Sequence, residues 1–149
     1  MQHRSLVLAT GIYPPDFGGP ATYVAGLAHA FLEQGYDVKV LTYAEVGGTT
    51  NDEGYIVQRV SRGGGPFVRW FRFTCALRKL CTQESCVIAF SSVSVGIPLF
   101  FSRVCCKKFL RLGGEFFWER VTDAGVNISL REWMYSTNIL HRCCRSISR

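Results

Sequence analysis

The stretch from Ser5 to Thr42 constrains this chain most. Ser5-Leu6-Val7-Leu8-Ala9 is an uninterrupted apolar run, which suits a parallel strand covered on both faces. Between it and the next periodic segment stand two prolines and two adjacent glycines. Pro14 and Pro15 fix φ and call for an extended exit from the strand. Gly18 and Gly19 lack a Cβ, so a ligand can approach the backbone there. Pro20 suits a first helical position, where its missing N–H has no helical partner anyway. Val24, Leu27, Ala28 and Phe31 then recur at i, i+3, i+4, i+7 and predict a helix from Pro20 to Gln34. Thr22, His29 and Glu33 fall on its other side, and His29 reads as a solvated surface residue. Gly35 supplies a left-handed cap, and Val38 to Thr42 reads as a second strand. Strand, helix and strand within about forty residues make a right-handed βαβ unit. Its glycine turn has two readings: a chain reversal, or an anion site built on unpaired N–H groups and the helix dipole.

The remaining elements extend this unit. Glu45 to Gly54 reads as a polar loop and Tyr55 to Val60 as a third strand. Arg62-Gly63-Gly64-Gly65-Pro66 reads as a connection, since no dinucleotide-binding pattern surrounds its glycines. Phe67 to Cys81 predicts a helix in which Arg69, Arg72, Arg78 and Lys79 interrupt an aromatic sequence. Such a helix fits an anionic membrane surface, with Trp70, Phe71 and Phe73 supplying apolar depth. It equally fits a packed helix with a wet basic side. Val87 to Phe90 reads as a fourth strand. Ser91, Ser92 and Ser94 follow at its carboxyl end, where they either hold a sugar or cap the next helix. That helix is predicted from near Pro98 to Cys105-Cys106-Lys107-Lys108, and Phe109 to Leu112 reads as a fifth strand. Gly113, Gly114, Glu115 and Glu119 follow, as site material or as a turn into an acidic helix start. Leu130 to Arg142 reads as a last helix.

Composition narrows the function classes. Of 149 residues, 48% are hydrophobic and 13% aromatic, which argues for a globular chain. Residues 1–54 hold two basic and six acidic residues, a net −4, against fifteen and five beyond, a net +10. The basic part points to a phosphate ligand, a membrane surface or nucleic acid, or is simply a solvated face; no nucleic-acid recognition motif is present. Ser85 to Ser102 is uncharged, but its serines, Gly96 and Pro98 read as strand, turn and helix start. The seven cysteines include no Cys-x-x-Cys and read as reduced thiols, mostly small core residues. No secretory signal is recognised at Met1, which implies a cytoplasmic chain, peripheral at a membrane's inner face if the 67–81 helix binds lipid.

The fold expected is α/β: a Rossmann-like three-layer αβα arrangement with a mostly parallel sheet of about five strands. The string Tyr13-Pro14-Pro15 … Gly18-Gly19-Pro20-Ala21-Thr22-Tyr23-Val24, with Leu27, Leu32, Gly35 and Val38 to Thr42, resembles the N-terminal domain of retaining GT-B glycosyltransferases of the family 4 type. Arg111, Gly114, Glu115, Trp118 and Glu119 look like a pattern of one bacterial branch, with Glu115 in place of Asp. Many members carry a histidine after this strand, and here there is none. The resemblance implies that residues 1–149 are an incomplete acceptor-side domain. It is the N-terminal half of a GT-B architecture whose nucleotide-sugar-binding half is absent, so the chain reads as a fragment, inactive alone. It also implies hexose transfer from a nucleotide sugar to a glycan or lipid-linked acceptor, with no metal and no cofactor beyond that co-substrate. Gly18, Gly19, Thr22, Ser91, Ser92, Arg111 and Gly114 would bind substrate or phosphate, and Glu115 would be catalytic. The competing reading is a non-catalytic acceptor- or membrane-binding module that needs a separate donor-binding partner, or a non-functional remnant.

Overall fold

A computed structural model describes residues 5–52 and 54–111. Gly114, Glu115, Trp118, Glu119, the expected 130–142 helix and Cys143-Cys144 lie outside them. The described part is α/β: a six-stranded, mostly parallel sheet with three α-helices, compatible with a Rossmann-like fold. In chain order the elements are β1 (Ser5–Ala9), α1 (Gly19–Glu33), β2 (Asp37–Ala44), β3 (Gly48–Asp52), β4 (Tyr55–Ser61), α2 (Gly65–Leu80), β5 (Cys86–Ala89), α3 (Ile97–Ser102) and β6 (Lys107–Leu110). A π-helical turn, Ser92–Gly96, precedes α3. The spatial order is β3-β4-β2-β1-β5-β6. All neighbours are parallel except β3, which pairs antiparallel with β4.

Alternation along each strand builds two cores. Leu6, Leu8, Val38, Val40, Tyr55 and Val57 meet Val24 and Ala28 of α1. Val7, Ala9, Leu41, Tyr43, Val60, Val87 and Ala89 meet Phe73 and Leu77 of α2 and Leu99 of α3. The central strands are therefore apolar throughout because both faces are covered. At the end of α1, Gly35 lies at φ +82°. Gly35 N–H bonds Leu32 O at 2.9 Å and Tyr36 N–H bonds Phe31 O at 3.1 Å. This is the Schellman pattern, and the Phe31 and Tyr36 rings supply its apolar contact, edge to face with centroids 5.4 Å apart.

Several expectations are corrected. The polar loop over 45–54 contains β3, whose register with β4 runs from Gly48 opposite Arg59 to Asp52 opposite Tyr55. It is an exposed edge strand, and Gly54, just before β4, lies at φ +99°. The sheet thus has six strands among the described residues, not five. The helix opened near Pro98 stops at Ser102, because Arg103 turns left-handed at φ 50°. Lys107 and Lys108 are not its end: they sit in β6, opposite Cys86 and Val87. In α2, Phe73 is fully buried and Trp70 half-buried, so neither is free to enter a bilayer. His29 is half-buried rather than solvated, its ring 5.4 Å from that of Tyr55. The five described cysteines are free thiols, none fully buried. No helix among the described residues is long and apolar enough to cross a membrane.

Candidate functional site

From β1, inside the sheet, the chain winds outward in two directions. It steps through α1 to β2 on one side, then returns through α2 to β5 on the other. The winding reverses between β1 and β5, which leaves a crevice at the carboxyl ends of those two strands. The ladder continues just past the strand ends: Thr10 N–H bonds Leu41 O at 2.9 Å, Phe90 N–H bonds Ala9 O at 2.9 Å, and Arg111 N–H bonds Ala89 O at 2.8 Å. Thr10, Phe90 and Arg111 therefore leave the sheet together at one edge.

A cleft of about 240 Å³ opens there, lined by Gly19, Pro20, Tyr23, Phe90 and Arg111. The Arg111 guanidinium lies over the Tyr23 ring, 3.9 Å from its centroid, and Tyr23 meets Phe90 edge to face at 6.1 Å. Such stacking orients an arginine without neutralising it, and among the described residues no carboxylate pairs with Arg111.

The first turn of α1 supplies the opposite wall. Gly18 caps the helix, with no side-chain hydrogen bond at the cap. Its carbonyl accepts from Ala21 N–H at 3.1 Å and Thr22 N–H at 3.3 Å, and Pro20 has no N–H. The donors left over are the N–H groups of Gly18 and Gly19, for which no acceptor occurs among the described residues. Anion capacity at this helix start is thus concentrated on two amides.

Distant groups hold the connecting loop. The Arg59 guanidinium donates to Pro14 O at 3.1 Å, and Arg62 pairs with the Asp16 carboxylate. Pro14-Pro15 is a cis bond. Tyr13 packs under α1 with its hydroxyl 2.5 Å from that of Tyr55, and burial, then that bond, push its pKa up. On the other face, Tyr43 OH donates to Ser94 O at 2.7 Å, its own pKa raised by burial. Gly11 admits this turn, since a Cβ on it would sit 3.0 Å from Ser94 Oγ.

Of the residues expected at the site, Gly19 and Arg111 line one cleft and Gly18 adjoins it. Thr22 is exposed on the same helical turn, its hydroxyl 3.5 Å from Gly18 O. Ser91 acts as a cap: its Oγ accepts from Ser94 Oγ at 2.7 Å and Ser94 N–H at 3.4 Å. Ser92 opens the π-helical turn. Gly114 and Glu115 lie outside the described residues. Sequence reasoning did not single out Tyr23 and Phe90 as walls. The signal was Tyr23 four residues after Gly19, one helical turn above it. Comparison with protein-family models finds no matching family, and comparison with curated proteins finds no match.

Proposed function

We propose that this chain is the acceptor-side domain of a retaining GT-B glycosyltransferase, transferring a hexose from a nucleotide sugar to a glycan or lipid-linked acceptor. The observation that carries the reading is a cleft at the switch point lined by both Gly19 and Arg111, with Gly18 beside it; among the described residues the Gly18 and Gly19 N–H groups have no acceptor and Arg111 has no carboxylate partner. The Gly-Gly-Pro-Ala-Thr-Tyr string supports it from the sequence. In this role the two amides and Arg111 face the diphosphate that leaves as the hexose departs, and stabilise its developing charge. Tyr23 and Phe90 exclude water beside it. The nucleotide is held by a second, donor-binding domain. Glu115, four residues beyond Arg111, is the proposed acid–base group.

The test is titration of the chain with inorganic pyrophosphate and with nucleoside diphosphates, followed by NMR. Binding is expected at the Gly19 and Arg111 amides. Arg111→Ala should weaken it by about tenfold or more, the scale of a hydrogen bond to a charged group. Binding indifferent to Arg111 overturns the reading. Transfer is assayed with a donor-binding domain supplied in trans, where Glu115→Gln should lower turnover by about 10²–10⁴-fold.

A further inference from the structure

The outer surface of α2 and α3 carries more exposed aromatic area than a solvated helix layer needs. Phe67, Phe71 and Phe101 are 80%, 69% and 64% exposed, with Val68 at 42%. A single exposed phenylalanine is ordinary, but several on neighbouring helices form a patch. The two helices are fastened side by side: Thr74 Oγ1 donates to Pro98 O at 3.3 Å and Arg78 Nε to Ser102 O at 2.8 Å. Phe73 and Leu77 face the sheet. Phe71, two residues before Phe73, points roughly 160° away from it around the helix. Phe67 is braced edge to face on Trp70, centroids 5.8 Å apart.

Cations rim this patch. Arg72, Arg78, Lys79 and Arg103 are all exposed, and neither α2 nor α3 contains a carboxylate. A second copy docked here would bring like charges together, so charge complementarity selects an anionic partner. The apolar members have no polar tip and project from one side of a helix layer, which fits insertion into a headgroup region.

We propose that the outward face of α2 and α3 docks onto an anionic lipid bilayer, Phe67, Phe71 and Phe101 entering it and Arg72, Arg78, Lys79 and Arg103 engaging lipid headgroups. The docking is in-plane. It differs from a single-helix membrane surface in using α3 and in leaving Phe73 to the core.

The test is flotation of the full chain with vesicles of phosphatidylcholine, with and without phosphatidylglycerol. Binding is expected only with phosphatidylglycerol and weakens with added salt. Each cation contributes about fivefold in affinity, so joint Arg72→Glu and Lys79→Glu should lower binding by at least about tenfold. Joint Phe67→Ser and Phe71→Ser should do the same with an unchanged thermal melt, both side chains being largely exposed. Equal binding to neutral vesicles overturns the proposal, as does anionic binding insensitive to the phenylalanines. So does absence of binding together with a dimer that Phe71→Ser dissociates, which would make the occupant a second copy.

Discussion

Gly18-Gly19-Pro20 opens α1 and Gly64-Gly65-Pro66 opens α2, the same tripeptide entering a helix after a strand. At the second, Gly64 lies at φ +92° and Gly65 at φ +81°, and a Cβ on Gly64 would sit 3.0 Å from Val68 Cγ1. Backbone conformation alone requires both glycines. At the first, Gly18 lies at φ +152°, and a Cβ there would sit 2.9 Å from Ile12 Cδ1. Gly19 differs from these three: its φ is not left-handed and an added Cβ meets nothing within 4 Å. The fold accounts for Gly18, Gly64 and Gly65, and nothing among the described residues requires a glycine at position 19. Surroundings separate the turns further. The first stands beside Phe90 and Arg111 at the switch point. The second follows β4, one strand from the sheet's edge, and Arg72 closes it by donating to Gly63 O at 3.1 Å. The same tripeptide meets the ends of other strands only at the first of the two turns.

The helices behind the turns give the largest expected difference. α2 seats Phe73, fully buried and stacked on Tyr43 with centroids 4.6 Å apart, whereas α1 buries only Ala21, Val24 and Ala28. Phe73→Ala should cost about 3–5 kcal/mol. Val24→Ala should cost roughly 1.5–2.5 kcal/mol. Urea denaturation checks both, and equal losses would mean that the two helices are anchored alike. Next come the turns themselves. Gly18→Val adds a clash to an unfavourable φ and should cost about 1–3 kcal/mol. Gly65→Ala, strained in φ but sterically open, should fall at the low end of that range and leave pyrophosphate binding unchanged. If Gly65→Ala abolished binding, the second turn would be a phosphate site too.

Tyrosine ionisation distinguishes the regions by pH. Tyr13 belongs to the first loop, and Tyr43 carries the turn after β5. Burial raises both pKa values, so the unfolded chain loses these protons first, near the ordinary tyrosine pKa of about 10. Their protonated-state stability is whole below that value and falls as pH rises above it, by about 1.4 kcal/mol per pH unit for each tyrosine. Chemical denaturation should therefore show an alkaline loss that Tyr13→Phe and Tyr43→Phe each reduce. Unaltered slopes in both variants would refute this linkage.

The sequence disclosed what depends on local pattern. The β1-α1-β2 unit and the Gly35 cap were legible because apolar spacing and glycine chemistry decide them. β3 was hidden because Thr49, Thr50 and Asn51 are exposed, with no buried side to impose alternation. Lys107 and Lys108 resembled a helix end, since cations suit that position, yet pairing with β5 drew them into β6. The serine turn carried two readings in sequence; the Ser91–Ser94 hydrogen bonds cap the π-helical turn Ser92–Gly96, while α3 itself starts without a side-chain cap. Gly19 and Arg111 were nameable singly. That Phe90 and Tyr23 line one cleft with them depends on the strand order, which no short window contains.

The smallest stability effect belongs to Gly19, and it tests the comparison most sharply. Gly19→Ala places a methyl in open space on an unstrained backbone. It should hold stability constant or raise it by about 0.4–1 kcal/mol, because the unfolded chain loses freedom. In the proposed role a methyl beside the Gly19 N–H narrows the approach of an oxyanion to that amide, and Gly19→Val narrows it further. Pyrophosphate affinity should fall stepwise from Gly to Ala to Val while the melting temperature does not fall with it. Stability and binding thus move independently at Gly19, whereas at Gly18 they decline together. Should Gly19→Val bind pyrophosphate as the unchanged chain does, the cleft would not use this amide, and the two Gly-Gly-Pro turns would be equivalent helix starts.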